Sequence, residues 1–398
     1  MLHREERKLD NVPVGSLGMI PLAGCTELGE KVNDFLVQWR QSSDLEGKTD
    51  SAYIGYNKDS FIINASVPRF GSGEAKGFIQ ESVRGKDLYL MVDVCNYSLT
   101  YSLTGHVNHM SPDDHYQNLK RIIAAVGGKA RRITVIMPFL YESRQHKRSS
   151  RESLDCALAL QELVSMGVEN IITFDTHDPR VQNAIPLNGF ETVSPTYQLI
   201  KGLVRNVPDI KLDSDHLMII SPDEGATGRA IYMANVLGVD MGMFYKRRDY
   251  TKVIDGRNPI VAHEFLGDSV EGKDVIIVDD MISSGESILD VAKQLKARKA
   301  NRIFAAATFG LFTNGMEIFD KAQKDGLIAK VLTTNLIYQT PELLSKDYYI
   351  SCDMSKYVAL IIDTLNHDAS LSEVLSPLER IHTLINKYNN GEDLNAED

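Results

Sequence analysis

The sequence predicts an α/β protein with two doubly wound domains and mainly parallel sheets. Three observations support this fold class: strand-like apolar runs alternate with helix-like segments, polar residues follow the ends of several runs, and 398 residues suffice for two or three domains. In such sheets, ligands bind beyond the carboxyl ends of the strands. We therefore expect the functional residues to lie directly after strands.

The alternation extends over most of the chain. Strands are predicted at 133–139, 170–175, 217–223, 275–280, 302–309 and 330–337, and helices at 154–166, 229–237 and 288–299. The run Val207-Pro208-Asp209 interrupts a helical pattern. We therefore expect an N-terminal domain over 15–208, a C-terminal domain over 209–376, and an amphipathic helix with an acidic tail over 377–398.

Composition excludes several classes of partner. The net charge is −11 and the sequence pI is about 5.5, which argues against general binding to nucleic acid or to anionic membranes, because phosphate backbones attract cationic surfaces. The four cysteines form no CxxC pair, and no run reaches the length of a membrane span. We expect a cytoplasmic protein with free thiols, in which any phosphate site is local.

The run from Val275 to Leu295 is the most informative part of the sequence. Four β-favouring apolar residues precede Asp279 and Asp280, a turn rich in hydroxyls follows, and apolar residues then recur with helical spacing. The turn comprises Ser283, Ser284, Gly285, Glu286 and Ser287. A helix that begins after such a turn presents backbone N–H groups to a phosphate, and the two acids can accept hydrogen bonds from sugar hydroxyls. The pattern indicates a ribose 5-phosphate site or, alternatively, an ordinary helix N-cap.

Two clusters of basic residues also follow predicted strands. Lys246-Arg247-Arg248 opens a polar stretch that runs to Asn258, and it forms either a solvated surface or a mobile lid that closes on phosphates. The cluster 144–148 contains Arg144 and Gln145, which suit the phosphates and the base of a nucleotide, although a charged loop before a helix has the same composition.

His177 and Asp223 also stand at strand ends. An imidazole and a carboxylate can hold a divalent ion that bridges phosphate oxygens, whereas a single histidine is more often a core or capping residue. The segment 96–115 is rich in Ser, Thr, Asn, His and Tyr, and its composition favours a surface loop over a metal site.

Seven motifs occur in the order found in the ribose-phosphate diphosphokinases, also called phosphoribosyl pyrophosphate synthetases, and the chain resembles this family over 18–377. The motifs are Phe70-Gly71-Ser72-Gly73-Glu74, Glu81-Ser82-Val83-Arg84-Gly85-Lys86-Asp87, Arg144-Gln145, Asp175-Thr176-His177, Ser221-Pro222-Asp223, Lys246-Arg247-Arg248 and the loop that begins at Asp279-Asp280. The resemblance implies two domains of the type I phosphoribosyltransferase fold. It also implies transfer of the diphosphoryl group of ATP to the 1-hydroxyl of ribose 5-phosphate, with Mg²⁺ as cofactor and a homo-oligomer as assembly.

The resemblance also assigns roles to residues. Phe70, Ser72, Gly73 and Glu74 match the stretch that reaches the ATP site of a neighbouring subunit, and Arg144 with Gln145 matches ATP-binding positions. His177 and Asp223 match magnesium positions, and Lys246 with Arg248 matches the loop that stabilises the transition state. Asp279, Asp280 and the residues from Ser283 to Ser287 match the ribose 5-phosphate site.

The sequence departs from the family pattern at several of these positions. Ser283 stands where the family has an aspartate, and Glu286 puts an acid where a glycine normally lets the backbone approach phosphate. Ala184 and Asn188 replace two acids. These departures motivate a second hypothesis, a catalytically weak nucleotide-binding subunit that modulates an active partner. A third hypothesis is a phosphoribosyltransferase that consumes the sugar diphosphate.

Overall fold

The computed structural model describes residues 11–42, 53–248 and 260–394, with the side chains of 246–248 and 260–263 outside the description. Its strands are β1 (Ser16–Pro21), β2 (Ala65–Ser66), β3 (Phe78–Ile79), β4 (Lys86–Met91), β5 (Thr100–Leu103), β6 (His106–His109), β7 (Arg132–Ile136), β8 (Asn170–Phe174), β9 (Gly189–Val193), β10 (Leu217–Ser221), β11 (Asp240–Arg248), β12 (Ile260–Leu266), β13 (Asp274–Ile282), β14 (Ile303–Gly310), β15 (Lys330–Thr334) and β16 (Tyr349–Cys352).

The helices are α1 (Thr26–Gln41), α2 (Pro112–Val126), α3 (Asp155–Ser165), α4 (Thr196–Asn206), α5 (Thr227–Leu237), α6 (Glu286–Ala297), α7 (Glu317–Lys324), α8 (Pro341–Leu344), α9 (Ser355–Asn366), α10 (Ser372–Leu375) and α11 (Leu378–Asn389). Short 3₁₀ helices lie at Ala23–Cys25 and Pro179–Ala184. All six strands and all three helices specified by the sequence pattern are present, with ends shifted by up to three residues.

The chain divides into two compact units. The first contains residues 1–194, 335–338 and 353–376, and the second contains 195–334, 339–352 and 377–398. This division differs from the expected boundary at 208/209, because α4 packs against β15 and β16 of the second unit. It also differs at 353–376, because α9 packs against α1 of the first unit.

Each unit is built around a mainly parallel sheet, which confirms the predicted fold class. The first unit has five parallel strands in the order β1-β4-β7-β8-β9. The second has seven strands in the order β12-β11-β10-β13-β14-β15-β16, and β12 runs antiparallel to its neighbour. Strands β10 and β14 are buried along their whole length, as expected where helices cover both faces of a parallel sheet.

The prediction of a surface loop over 96–115 is wrong. Strands β5 and β6 form an antiparallel hairpin joined by Thr104 and Gly105, and α2 then begins at Pro112. Both turn residues have positive φ, 52° and 81°, which is the geometry of a tight two-residue hairpin turn. Ser111 caps α2 through a reciprocal pair of hydrogen bonds with Asp114.

A buried ion pair joins α1 to α9 inside the first unit. Arg40 is 1% exposed, and its Nη2 atom donates to Asp363 Oδ1 at 3.2 Å and to Asn366 Oδ1 at 2.7 Å. Its guanidinium also lies 4.5 Å from the ring centroid of Tyr56. Because a buried charge is costly without a partner, this network explains why a helix more than 300 residues along the chain from Arg40 belongs to the first unit.

Asp93 gives the first unit a pH-dependent stability. Its carboxylate is 2% exposed and accepts the N–H of Cys95 at 2.8 Å and of Tyr338 at 2.6 Å. Burial raises the pKa of Asp93 to about 7. An unfolded aspartate titrates near 4, so the folded state binds the extra proton between about pH 4 and 7, and the free energy of unfolding falls as the pH rises through this window.

We therefore expect the unfolding temperature of the wild type to fall relative to that of Asp93→Asn as the pH is raised from 5 to 8. Thermal unfolding followed by circular dichroism checks this expectation. Asp59→Asn, the same chemical change at an exposed position of the same unit, serves as the control. Parallel profiles for the wild type and Asp93→Asn would show that Asp93 does not titrate in this window.

Candidate active site

The turn after β13 has the predicted strand–turn–helix geometry. Asp279 and Asp280 lie within β13, which extends to Ile282, and α6 begins at Glu286. Gly285 stands between them with φ +87°. A Cβ atom on Gly285 would lie 2.3 Å from Cε2 of Phe319, a buried residue of α7. Only glycine fits here, so the core beneath α7 fixes the path of the 283–287 turn.

The side chains of the 283–287 turn differ in exposure. Ser283 and Ser284 are half-buried, whereas Glu286 and Ser287 are exposed in the first turn of α6. The backbone N–H groups in the first turn of a helix have no partners within the helix and can bind an anion. An exposed acid at this end stabilises the helix dipole. Glu286 therefore adds negative charge to a helix end whose backbone N–H groups can bind an anion.

Three carboxylates cluster at the carboxyl ends of the adjacent parallel strands β10 and β13. Asp223 Oδ1 accepts the N–H of Gly225 at 2.9 Å in the turn that leads into α5. Asp279 Oδ1 accepts the N–H of Asp280 at 2.8 Å. Burial raises the pKa of Asp279, and the charges of Asp280 and Asp223 raise it further. This concentration of negative charge favours a cation or hydroxyl donors at the cluster.

Arg229 partly offsets this charge. Its Nη2 atom lies 3.8 Å from Oδ2 of Asp280, which is 4% exposed. Arg229 projects from α5, the helix that follows the Asp223 turn. The sequence interpretation missed this residue, although its position on a helix directly after a strand-terminal acid was an available signal.

In the first unit, the loops after β7 and β8 come together. The ring centroids of His146 and His177 are 5.3 Å apart, and His146 Nε2 lies 3.4 Å from Asp178 Oδ2. Asp175 at the end of β8 has φ +39°, a conformation that costs a non-glycine residue energy and is often found at functional sites. The structure thus brings the basic cluster 144–148 close to His177.

Within that cluster, Arg144 and Gln145 occupy different environments. Arg144 is exposed, and its positive charge lowers the pKa of the Cys95 thiol. Burial has the larger effect, so this pKa lies well above the usual value. Gln145 Nε2 donates to the carbonyl oxygen of Ser153 at 2.8 Å. This bond orders the loop between β7 and α3.

The 70–74 turn is exposed but firmly supported. Phe70 is 54% exposed, its N–H donates to the carbonyl oxygen of Glu74 at 2.7 Å, and Ser72 Oγ donates to Glu74 Oε2 at 2.9 Å. The β5–β6 hairpin supports the turn, because the N–H of Thr104 donates to the carbonyl oxygen of Gly71 at 3.3 Å.

Arg69 provides a second support for the same turn. Its Nη1 atom donates to the carbonyl oxygen of Gly73 at 3.0 Å, and its Nη2 atom donates to Asp114 Oδ1 at 2.8 Å. The guanidinium carbon lies 3.9 Å from the ring centroid of Tyr101. Sequence interpretation missed Arg69 and Tyr101, because the hairpin that carries Tyr101 was not predicted.

Strand β11 continues through Lys246 and Arg248, which were expected to follow a strand. In the pairing with β12, Lys246 stands opposite His263 and Arg248 opposite Ile260, with a register shift between Arg247 and Arg248. The side chains of 246–248 and all of 249–259 lie outside the described residues, as does the expected lid.

The second unit thus joins Asp223, Asp279 and Asp280, and the first unit joins His177 to the 144–148 cluster. No group of three or more His, Cys, Asp or Glu side chains within the described ranges is arranged to hold a metal ion. In the described part of the chain, no helix has both the length and the apolar character that a bilayer span requires.

Comparison with known proteins identifies the family. The profile described as the N-terminal domain of ribose phosphate pyrophosphokinase matches residues 19–167, and the phosphoribosyl transferase domain profile matches residues 194–334. The ribose-phosphate pyrophosphokinase of Ralstonia nicotianae is 31% identical over 256 residues, which cover 63% of this chain and 72% of that protein. The chain belongs to the ribose-phosphate pyrophosphokinase family.

Other relatives agree with this membership. The ribose-phosphate pyrophosphokinase of Vibrio cholerae is 28% identical over 318 residues, which cover 79% of this chain and 91% of that protein. The crystal structure of phosphoribosylpyrophosphate synthetase from Mycobacterium smegmatis matches with a TM-score of 0.68 and 21% identity, over 89% of this chain and all of that chain. The predicted fold, with a phosphoribosyltransferase domain in its C-terminal part, is therefore confirmed.

Proposed function

We propose that this member of the ribose-phosphate pyrophosphokinase family transfers the β,γ-diphosphoryl group of ATP to the 1-hydroxyl of ribose 5-phosphate. One observation carries the proposal: a single chain of this family combines the 283–287 turn with the exposed, supported 70–74 turn and the 144–148 cluster. An enzyme that salvages nucleobases has no need of a separate ATP site. The combination therefore favours synthesis of the sugar diphosphate over its consumption.

In the proposed reaction, oxygen O1 of ribose 5-phosphate attacks the β-phosphorus of ATP in line. A bond between O1 and the β-phosphorus forms as the bond from that phosphorus to the α,β-bridging oxygen breaks. AMP leaves with the electron pair, and the proton of the 1-hydroxyl passes to solvent. The protein does little covalent chemistry here, so its residues contribute alignment and charge neutralisation.

Ribose 5-phosphate accepts the diphosphoryl group, and two elements that bind it have distinct tasks. Backbone N–H groups of the 283–287 turn hold the 5-phosphate, and the hydroxyls of Ser283, Ser284 and Ser287 add donors. Asp279 and Asp280 accept hydrogen bonds from the ribose hydroxyls. Because Gly285 is packed against Phe319, the turn is formed before the sugar binds, which lowers the entropic cost of alignment.

On the donor side, Arg144 and Gln145 bind ATP, and Phe70, Ser72, Gly73 and Glu74 complete the ATP site of a neighbouring copy of the chain. The exposure of Phe70, at 54%, supports this arrangement, since a large aromatic side chain gains most when a partner covers it. The proposal therefore includes a homo-oligomer. Lys246 and Arg248 counter the charge that develops on the transferred group.

We further propose Mg²⁺ as cofactor, with His177 and Asp223 as protein ligands. The surroundings of Asp223 fit a cation, because its charge and that of Asp280 raise the pKa of Asp279, and a bound cation would relieve this repulsion. A small number of protein ligands also suits Mg²⁺, which usually keeps several waters. When bound, the ion supplies charge neutralisation at the phosphate oxygens.

Arg144→Ala tests the donor side. Loss of a charge-assisted hydrogen bond to a phosphate raises the KM for ATP by about tenfold or more. The KM for ribose 5-phosphate stays unchanged, because that substrate binds in the other unit. Arg151→Ala, which removes an exposed arginine from the same loop, is the matched control. Equal KM values for ATP in the two variants would remove Arg144 from the site.

The reaction itself is tested by AMP release from the purified chain. We expect AMP to form only when ATP, ribose 5-phosphate and Mg²⁺ are all present. AMP formation that appears only after a second, active subunit is added would favour the regulatory-subunit hypothesis. A nucleotide formed from a nucleobase and 5-phosphoribosyl 1-diphosphate, without AMP release, would favour the phosphoribosyltransferase hypothesis.

A further inference from the structure

A cavity of about 430 Å³ lies within the first unit, behind the 70–74 turn. Its walls come from the end of β1 and the following 3₁₀ helix, from β2, from α2, and from the residues that flank and form β5. None of the residues assigned to ATP, ribose 5-phosphate or Mg²⁺ lines it. The cavity is therefore separate from the proposed substrate sites.

The walls combine apolar side chains with a few polar groups. About half of the lining residues are aliphatic, including Leu22, Val67, Leu99 and Ile122. The volume falls in the range of about 300–1,000 Å³ typical of small-molecule sites, which combine apolar walls with a few placed polar groups. The polar groups therefore indicate which ligand the cavity fits.

His115 contributes a hydrogen-bond acceptor. It is 2% exposed, and burial lowers its pKa, so the imidazole is neutral. Its Nε2 atom lies 2.7 Å from the carbonyl oxygen of Asn96. A carbonyl oxygen accepts only, so Nε2 carries the proton. The other ring nitrogen, Nδ1, is therefore an acceptor, and no described residue bonds to it.

Asn118 contributes a donor beside that acceptor. It is 9% exposed and lines the cavity, and its Oδ1 atom accepts from Nη1 of Arg121 at 2.8 Å. Its Nδ2 group makes no hydrogen bond with a described residue. His115 and Asn118 are three residues apart on α2, so their side chains neighbour each other on one helix face. The cavity thus presents an adjacent acceptor and donor.

The charge of the cavity selects a neutral ligand. Among the described residues that line it, Arg69 alone carries a formal charge, and that charge is paired with Asp114 at 2.8 Å. A phosphate or carboxylate would have to break this pair before it gained a cation. A neutral ligand loses less solvation on entering an apolar cavity.

We propose that this cavity binds a neutral, planar heterocycle of the nucleobase class. The edge of a nucleobase carries a donor next to an acceptor, which complements Nδ1 of His115 and Nδ2 of Asn118, while its apolar faces suit the aliphatic walls. The proposal does not rest on diphosphoryl transfer. An occupant would contact Arg69 and Tyr101, which also support the 70–74 turn.

Isothermal titration of the full chain with adenine, hypoxanthine, cytosine and uracil tests the proposal. We expect at least one base to bind with one site per chain and a Kd below about 1 mM. Asn118→Asp keeps the acceptor for Arg121 but removes the donor, and it should weaken binding about tenfold or more. Gln117→Glu makes the same change in charge at the adjacent exposed residue of α2 and should leave the Kd unchanged.

Two further variants complete the experiment. Thr100→Trp, at an exposed position of the cavity wall, fills the space and should abolish binding even if Asn118→Asp does not fold. Arg144→Ala should leave the Kd unchanged, because the proposed cavity does not include Arg144. A base bound at the proposed ATP site would instead lose affinity in this variant. The proposal is overturned if no base binds saturably, if Thr100→Trp binds as tightly as the wild type, or if Arg144→Ala removes the binding.

Discussion

Lys246→Ala is expected to lower turnover about a thousandfold, the scale on which a positioned cation acts in phosphoryl transfer. In the proposed mechanism, the charge that Lys246 counters develops as the bond from the β-phosphorus to the leaving AMP breaks, so the loss falls on kcat. The dissociation constant for ATP should change by less than about threefold, because the ground state depends on this cation much less.

Steady-state kinetics with both substrates and equilibrium binding of ATP measure the two effects separately. Lys321→Ala, which removes an exposed lysine from α7 of the second unit, controls for the change in net charge. A Lys246→Ala variant that turns over like the wild type would remove Lys246 from the mechanism. Equal losses in kcat and in ATP affinity would make it a ground-state binding residue instead.

Gly285→Ala is expected to lower kcat/KM for ribose 5-phosphate about a hundredfold, the cost of displacing a binding group by about 1 Å. A Cβ atom here would lie 2.3 Å from Cε2 and 2.4 Å from Cζ of Phe319, so the turn or α7 must move. The positive φ of 87° adds backbone strain. Crowding of this kind also destabilises the fold by about 1–3 kcal/mol.

Gly272→Ala is the matched control for this effect. Gly272 also belongs to the second unit and has φ +76°, but no atom lies within 4 Å of its added Cβ. It therefore reports the backbone strain without the clash, and its kcat/KM should stay near that of the wild type. Similar losses in both variants would show that the contact with Phe319 does not position the turn.

The part of the site that depends on local sequence could be predicted. The strand, turn and helix around Asp279 and Gly285 follow from an apolar run, a glycine and helical spacing within about 20 residues. The assignment of α9 to the first unit could not be predicted, because it depends on the pairing of Arg40 with Asp363, two residues that are 323 positions apart. No local pattern encodes such a contact.

The β5–β6 hairpin illustrates a signal that was present but masked by composition. The segment Thr100–Leu103 alternates polar and apolar residues, and Thr104-Gly105 supplies a two-residue turn with positive φ. Its many Ser, Thr, Asn and His residues favoured a loop instead. As a result, the supports of the 70–74 turn, Arg69 and Tyr101, and the cavity behind it were visible only in the folded chain.

Phosphorus-31 NMR of the purified chain with ATP, ribose 5-phosphate and Mg²⁺ tests the central claim most directly, because it shows where each phosphate goes. The account predicts that AMP and 5-phosphoribosyl 1-diphosphate appear in equal amounts, with the diphosphate on C1 of the ribose. ADP with a singly phosphorylated C1, or no conversion of ribose 5-phosphate by the folded chain, would contradict it.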